Sequence, residues 1–519
     1  MSRRRRWAGI WVAATAVVST VVVAVAPTPV FAASIIVRSA ADGAPANDGA
    51  CTLREAIINA NGNSQAGSTD CAAGSGADTI LFEISGAGVK NINPNGSLPV
   101  ITESLTIDGY SQSGAAVNSV VSGASNAVLR IQLNGAFSGN GLLFQPINNA
   151  DSLQVRGLIL NGFGSNAIYI NGGTNSQIVG NFIGTSANGL AAVPNTFGIT
   201  LFNNTGTRIG GSTPELRNVI SGNGEGVSMW QGTSGARVQG NLIGVGSDGV
   251  TPIGNNGCGD GCNRYSAIVI RNYASSNTIG GVNPGEGNII ANNTFALMAF
   301  SGSGNAVLGN SIYSNAGIIA AYANSAGVTF FPGNYANQIQ NVPVLDSARL
   351  VGADLVTNYT TFNAPGQTTF PVRLEFFRAD TYSNRQGRTF LGAVSAATPG
   401  TAQATLTGAA SSVATGDVLV AIATDAAGNS SEFSAASIIG GLAVTDTGDQ
   451  PDYGPGDGIC EATPGSRDCS LRAAIEEANS SPDRSEITFN IPGSGVQRIT
   501  PASFLPSINR KANLATAGL

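Results

Sequence analysis

The 519-residue sequence contains no histidine and only two lysines, Lys90 and Lys511. The absence of histidine excludes a Ser-His-Asp triad, His-ligated zinc and acid–base catalysis by imidazole. Charged residues make up 11% of the chain, which is too few for a long disordered protein or for a typical helical bundle. The net charge of −6 offers no electrostatic footprint for nucleic acid, so we expect no nucleic-acid partner.

Glycine, asparagine, serine, threonine, alanine and β-branched residues dominate the sequence, and glycine alone accounts for 69 positions. This composition is typical of an all-β protein with many tight turns. The length predicts two to four domains with ample core.

Residues 1–33 resemble a secretory signal peptide. Arg3–Arg6 are basic, Ala8–Ala26 are apolar apart from Ser and Thr, and Val30-Phe31-Ala32 fits a small-residue cleavage site. An uncleaved membrane anchor is the alternative, since the apolar run is almost long enough to span a bilayer. We expect a secreted or cell-surface protein with no membrane contact beyond this segment.

The six cysteines form three local pairs, which are Cys51/Cys71, Cys258/Cys262 and Cys460/Cys469. Disulfide bonds are expected in an oxidising exterior. Metal binding is the rival interpretation, but the sequence has no histidine and no Cys-x-x-Cys motif. We therefore predict three disulfides, no metal and no cofactor.

One segment of the chain occurs twice. Cys51–Asn61 and Cys469–Asn479 share the pattern Cys-[Thr/Ser]-Leu-Arg-x-Ala-Ile, and each is followed by a strand-like run and a Leu-Pro-x-Ile element. Thr52 and Glu55 form a capping-box pattern, which predicts a short amphipathic helix. Ala473 replaces this glutamate in the second copy, so its helix start is less defined. We expect Arg54 and Arg472 to contact solvent or loop carbonyls, and a binding role is the alternative.

These motifs resemble the CSLREA-type domain of secreted bacterial proteins. In that family the module commonly precedes right-handed parallel β-helix repeats. The resemblance therefore implies a capping module at one end of a stacked β structure. The first copy departs from the family pattern at Thr52 and the second at Ala473.

Residues 100–335 carry the repeats that such a fold requires. Short apolar runs recur after Gly-Asn or a similar pair that begins at positions 180, 217, 240, 287 and 309. The spacings correspond to one or two coils of roughly 22–24 residues. We expect Ile, Val, Leu and Phe to point inward, glycine to supply turns with positive φ, and stacked asparagines to form amide ladders.

Short alternating strands replace this repeat after residue 336 and predict an antiparallel, Ig-like β-sandwich. The pattern after Ile508 lacks the strand that follows Ile101 in the first copy. We therefore expect a truncated or frameshifted product of a longer repeat protein. The predicted organisation is a signal peptide (1–33), capping module (34–110), right-handed parallel β-helix (111–335), Ig-like sandwich (336–437), linker (438–459) and second, incomplete module (460–519).

The repeat region contains few acidic residues, and no catalytic pair is evident among them. A glycosidase needs two carboxyl groups within roughly 5–10 Å. The weak catalytic candidates are Glu215, Glu225, Asp248 and Asp260. Each is more simply interpreted as a solvated charge in a turn.

Outward-facing aromatic rings could stack on sugars, although more of the rings in the repeat region are expected to belong to the core. Trp230 is the best binding candidate, and Tyr265 is another. The segment from Gly246 to Arg264 is the largest insertion between repeats and a plausible specific surface. The sequence therefore favours a non-catalytic secreted or cell-surface protein, an adhesin or carbohydrate-binding scaffold that contacts extracellular polysaccharide or a cell surface. The alternative is a polysaccharide lyase or glycoside hydrolase.

Overall fold

The structure is a computed structural model. It describes residues 32–519 except 257–265, 317–327, 331–336, 338–339, 364–367, 382–384, 415, 441, 457–459, 464–465, 467, 481–485, 490, 494, 510–512 and 515–519. Almost all of the predicted signal peptide lies outside the described residues. The predicted Cys258–Cys262 disulfide and the candidates Asp260 and Tyr265 also lie outside them.

Three parallel sheets wind around a common axis, so the prediction of an all-β chain built on a parallel β-helix is confirmed. Sheet A has nine strands: Ser34–Val37, Asp78–Phe82, Leu105–Asp108, Leu153–Arg156, Gln177–Val179, Arg208–Gly210, Arg237–Gln239, Thr278–Gly280 and Ala306–Leu308. Sheet B has eight: Lys90–Ile92, Ile131–Asn134, Leu158–Asn161, Phe182–Ile183, Val219–Ile220, Leu242–Ile243, Ile289–Ala291 and Ser311–Tyr313. Sheet C has seven: Leu142–Phe144, Asn166–Asn171, Phe197–Phe202, Glu225–Met229, Ile268–Ile270, Leu297–Ala299 and Val328–Phe330.

The interior of the β-helix is a continuous stack of aliphatic side chains. Ile178, Ile209 and Val238 are register partners in successive coils of sheet A, and all three are fully buried. Side chains alternate across a strand, so the residues on either side of each of these point outward. The inward-facing aliphatic residues of sheet A therefore form the core, and alternate residues such as Arg208 and Arg237 are exposed.

Asparagine ladders fill the turns between the sheets, as the Gly-Asn repeats predict. Asn218 donates its side-chain N–H to Oδ1 of Asn241 at 2.9 Å, and Asn241 donates to Asn288 at 3.0 Å. The backbone N–H of Asn241 also donates to Asn288. Gly240 precedes this ladder position with φ of +66°, and a Cβ there would lie 2.0 Å from the backbone oxygen of Gly211. The ladders thus satisfy buried polar groups that would otherwise oppose burial.

The first capping module forms the beginning of the β-helix. Helix α1, Leu53–Gly62, begins with the predicted capping box between Thr52 and Glu55. Its buried side chains, including Leu53 and Ile57, join the same core as the coils. The strands Ser34–Val37 and Asp78–Phe82 of this module are the first two strands of sheet A. The predicted boundary near residue 110 therefore crosses a continuous sheet.

Two antiparallel sheets follow the β-helix. Sheet D contains Val344–Val351, Asp354–Thr361 and Gly400–Leu406, and sheet E contains Thr389–Ala396, Val372–Ala379, Val418–Thr424 and Ser437–Ile438. A short 3-10 helix, Ala409–Ser411, lies between the strands Gly400–Leu406 and Val418–Thr424. Two other 3-10 helices, Gly109–Ser111 and Pro214–Leu216, lie in the β-helix. Leu355 of sheet D and Leu374 and Leu419 of sheet E belong to one apolar cluster, so the two sheets share a core.

Sheet E covers the last coil of the β-helix. Phe377 and Val420 of this sheet belong to the same apolar cluster as Val307 and Ile312 of the final coil. Gln386 is buried, accepts hydrogen bonds from the backbone and side chain of Asn315, and donates to the backbone oxygen of Asn315 at 3.0 Å. Gln386, which belongs to the domain formed by sheets D and E, therefore terminates an asparagine ladder of the β-helix.

The second module repeats the topology of the first. Sheet F contains Leu442–Val444, Glu486–Phe489 and Asn513–Leu514, and helix α2 spans Leu471–Ser480. Two expectations are corrected here. The predicted linker 438–459 contains the first strand of this sheet, and the residues after Ile508 do form a third strand, which pairs with the second at Ile487↔Leu514. Alternation is too weak to be recognised in a two-residue strand, so the sequence pattern missed it.

The two outer disulfides predicted from the sequence are present, Cys51–Cys71 in the first module and Cys460–Cys469 in the second. Each joins the segment before a helix to a neighbouring loop. Among the described residues, no helix is long and apolar enough to cross a membrane.

Candidate functional site

A pocket of about 420 Å³ lies on the outer face of sheet C. It is lined by Asn140, Ser165, Asn166, Tyr169, Phe197, Thr200, Phe202 and Trp230. The four aromatic rings are all half-buried. A ring in this state exposes part of its surface while the rest is held by packing. The pocket therefore combines fixed aromatic surfaces with amide and hydroxyl groups.

The strand register explains why these side chains meet. Tyr169 pairs with Thr200, and Phe202 pairs with Asn171, across adjacent parallel strands. Trp230 follows the strand Glu225–Met229, and its backbone N–H donates to Leu201 at 2.8 Å. This places Trp230 one coil further along the column that contains Phe202. Residues about one coil apart in sequence are thus neighbours on the surface.

The polar part of the pocket is a chain of hydrogen bonds. The Asn166 side chain donates to Oδ1 of Asn140 at 2.8 Å and accepts the hydroxyl proton of Thr200 at 2.5 Å. Asn166 also donates to the hydroxyl of Ser165 at 3.0 Å. These contacts fix the amide of Asn166 between two coils, so the polar wall is organised before any ligand arrives.

Arg271 fixes the position of Trp230 from the next coil. Its guanidinium carbon lies 5.1 Å from the centroid of the Trp230 ring and 5.7 Å from that of Phe300. A guanidinium at this distance over an aromatic face makes a favourable cation–π contact. The arrangement restrains the indole from the side opposite Phe202.

Glu225 neutralises Arg271. The two side chains form an ion pair, and the Ser228 hydroxyl donates to the other oxygen of the same carboxylate. Burial raises the pKa of Glu225, and the neighbouring Arg271 opposes this rise. The carboxylate is 3% exposed as a side chain, so it functions as the buried partner of a cation.

The other weak catalytic candidates lie elsewhere. Glu215 is in the 3-10 turn Pro214–Leu216 between sheets A and B, where the Thr213 hydroxyl donates to it at 2.6 Å and lowers its pKa. Asp248 is in a turn after sheet B and accepts the Thr251 hydroxyl at 2.5 Å. Glu225 differs from both: the expectation of a solvated charge in a turn is wrong for it, since it is buried at the start of a strand of sheet C. No described contact brings these carboxylates together.

A larger cleft of about 670 Å³ lies between the β-helix and sheet E. Its two arginines are engaged within the protein. Arg217 donates to four backbone oxygens, including Gly240 at 3.1 Å, and Arg373 pairs with Glu375 at 2.9 Å. Burial lowers the pKa of Arg217. This cleft lies at the junction of the β-helix and sheet E. Glu375 accepts the backbone N–H of Gly309 across it at 2.8 Å, whereas the Arg217 contacts lie within the β-helix.

Sequence reasoning identified Trp230, but it missed Asn140, Asn166, Thr200 and Arg271. Trp230 and Arg271 are 41 positions apart because the segment between them includes the insertion that begins at Gly246. An irregular coil length conceals which residues stack. Phe202 and Trp230 could have been paired, since their separation of 28 positions is close to one coil.

No protein-family model matches the chain, and no curated protein matches its sequence. The assignment of function therefore depends on the geometry of the site.

Proposed function

We propose that this protein is a secreted, non-catalytic carbohydrate-binding scaffold, with the pocket around Trp230 as its polysaccharide site. The observation that carries the proposal is the group of four half-buried rings beside fixed amide and hydroxyl groups on one open sheet face. Sugar rings present apolar C–H faces that pack on aromatic side chains, and their hydroxyl groups hydrogen-bond to amides. Binding pockets typically combine apolar walls with a few placed polar groups in this way.

The ionic state of the site favours binding over catalysis. Among the residues that the structure describes, those that line the pocket include no Asp or Glu. The nearby Glu225 is paired with Arg271 and accepts a hydrogen bond from Ser228. Hydrolysis of a glycosidic bond requires a pair of carboxyl groups, one on each side of that bond. Because Arg271 is neutralised by Glu225, the pocket is suited to neutral sugars.

The family, the domain types and the secretion of the protein are inferred from features of the whole chain. The duplicated module, with its Cys-[Thr/Ser]-Leu-Arg motif, supports membership of the CSLREA-type proteins of bacteria. A right-handed β-helix is the expected hand for parallel strands joined by crossovers. The shared core of sheets D and E supports an Ig-like sandwich. The two disulfides fit an oxidising compartment and hence a secreted adhesin or surface protein.

A polysaccharide lyase or hydrolase is the second candidate. The observation that favours it is the raised pKa of Glu225 close to the pocket, since general acids often have buried carboxyl groups. For this role Glu225 would have to leave Arg271 and reach the substrate together with a second catalytic group.

A polysaccharide panel separates the two candidates. Residues 34–519, purified with disulfides intact, are incubated with neutral and acidic polysaccharides, and both retention on the polymer and release of reducing or unsaturated ends are measured. We expect retention on a neutral polysaccharide without products. Trp230→Ala is expected to weaken retention about tenfold or more, and Tyr453→Ala, which removes a 66% exposed ring in the second module, is the control.

Two results would overturn the proposal. Product release that Glu225→Gln abolishes would establish the enzyme instead. Retention on a neutral polysaccharide that Trp230→Ala and Tyr453→Ala affect equally would place that binding site outside the pocket.

A further inference from the structure

The outer face of sheet A carries two arginines directly opposite each other. Arg208 and Arg237 are register partners in adjacent coils, and both are exposed. The next positions in the same column are Gln177 on one side and Thr278 on the other. The column alternates with the buried Ile178, Ile209, Val238 and Ile279, so its side chains point to solvent.

A column of hydroxyl groups runs beside these arginines. Thr174, Thr205, Ser234 and Ser275 pair in succession as parallel bridges across the same four coils. The hydroxyls of Thr205 and Ser234 are 3.4 Å apart. Each hydroxyl residue lies three positions before its counterpart in the arginine column. The surface therefore presents two parallel polar columns that follow the axis of the β-helix.

The arginine pair is electrostatically unfavourable in the protein alone. Like charges directly opposite each other on neighbouring strands destabilise a sheet, and adjacent strands are only about 4.8 Å apart. Glu286 interacts with Arg237, but the Arg208 guanidinium makes no hydrogen bond or ion pair with any residue that the structure describes. By contrast, Arg156 on the same sheet is paired with Asp108 at 3.0 Å.

Partner chemistry follows from this arrangement. Guanidinium groups bind carboxylate and sulfate-like oxygens through paired N–H donors, and two of them one strand apart can reach anionic groups on one polymer chain. The adjoining hydroxyls provide neutral hydrogen bonds of the kind that sugar hydroxyls make. The chain has a net charge of −6, so a polyanion requires a local group of positive charges such as this arginine pair.

We propose that the surface formed by Gln177, Arg208, Arg237 and Thr278, together with the hydroxyl column, binds an anionic polysaccharide that carries sulfate or uronate groups. This surface is on sheet A, whereas the Trp230 pocket is on sheet C. The inference therefore does not depend on the proposed function, and it gives the β-helix a second carbohydrate face with a different specificity.

The test measures binding of residues 34–519 to immobilised heparin and polygalacturonate, with dextran as a neutral polymer and a DNA duplex as a non-glycan polyanion. Arg208→Gln is expected to weaken binding to an anionic glycan about tenfold, and Arg208→Gln with Arg237→Gln is expected to abolish it. Salt should weaken wild-type binding. Arg349→Gln, which removes an exposed charge from sheet D, should change binding less than about twofold.

Three results would overturn the inference. They are no binding of the wild type to either anionic glycan, an equal loss in Arg349→Gln, or binding to DNA as strong as to the glycans. Trp230→Ala distinguishes the two sites, because it should leave binding to the anionic glycan unchanged. Since Arg208 and Arg237 are exposed, the variants should fold normally, and circular dichroism checks this.

Discussion

The two capping modules share an arginine contact but have different surroundings. In the first, Arg54 forms a bidentate ion pair with Asp42, with hydrogen bonds of 2.9 and 2.6 Å, and donates to the backbone oxygen of Ser97. In the second, Arg472 forms a bidentate ion pair with Asp449, with hydrogen bonds of 3.0 and 2.9 Å, and donates to the backbone oxygen of Phe504. The arginine that the sequence shares between copies therefore fixes a loop onto the helix in both.

Burial separates the modules. Ile101 of the first module is 0% exposed and pairs with Phe144 of sheet C, whereas Ile508, at the same position of the Leu-Pro-x-Ile element, is 45% exposed. Val496 and Phe504 of the second module are fully exposed. We call the Arg54–Asp42 and Arg472–Asp449 ion pairs the arginine clamps. The comparison shows that the arginine clamp belongs to the module itself, whereas burial of the module's apolar edge depends on the coil stacked against that edge.

The largest expected difference between the modules concerns this isoleucine. Ile101→Ala should lower the free energy of unfolding by about 3 kcal/mol, because it leaves a cavity in a closed core. Ile508→Ala should cost less than about 1 kcal/mol, since its side chain is partly in water. Urea unfolding of each full-length variant measures both. Equal losses would contradict the difference in burial.

Disulfide removal should distinguish the modules by loop length. Cys51 and Cys71 are separated by 20 positions, and Cys460 and Cys469 by 9. In the chain-entropy model, replacing the first pair by serine costs about 3.3 kcal/mol and replacing the second about 2.6 kcal/mol. Thermal unfolding of the two double variants checks the order. A larger loss from the second pair would be inconsistent with the entropic account.

Loss of the arginine clamp should reduce hydrogen-exchange protection equally in the two modules. Arg54→Lys and Arg472→Lys keep the positive charge but remove the paired hydrogen bonds to aspartate. The backbone amides of Asn95 and Ala502 donate to Asp42 and Asp449, so both should lose protection from hydrogen exchange to a similar extent. Arg349→Lys is the matched control. Loss in one module alone would show that the clamp depends on its surroundings.

The smallest expected effect is acid sensitivity of the second clamp. The hydrogen bond from Arg472 holds the pKa of Asp449 below its ordinary value, so the ionised form is stabilised by folding. This stabilisation is complete above the ordinary aspartate pKa of about 4 and is lost as pH falls through the lowered value. Exchange of the Ala502 amide, measured from pH 6 to 2 and corrected for intrinsic rates, should report it. Asp449→Asn should lack that transition.

The sequence predicted the features that repeat locally. The Gly-Asn spacings located the asparagine ladders, and the Thr52–Glu55 pattern located the first helix. The strand Val344–Val351 and the short strand Asn513–Leu514 were missed, because their apolar alternation is broken or too brief. Coils of unequal length hide the register between neighbouring strands, so the contacts of Arg271 with Trp230 and of Asn166 with Thr200 could not be predicted from the sequence.

The most direct test of the Trp230 site uses its fluorescence. Trp230 is the only tryptophan of residues 34–519, since the other two, Trp7 and Trp11, lie in the predicted leader. Titration of this segment with the neutral polysaccharide that retains it should change the tryptophan emission saturably, with a midpoint equal to the dissociation constant from retention. Retention on that neutral polysaccharide with unchanged emission would contradict the account, because the polymer would then be bound away from the pocket.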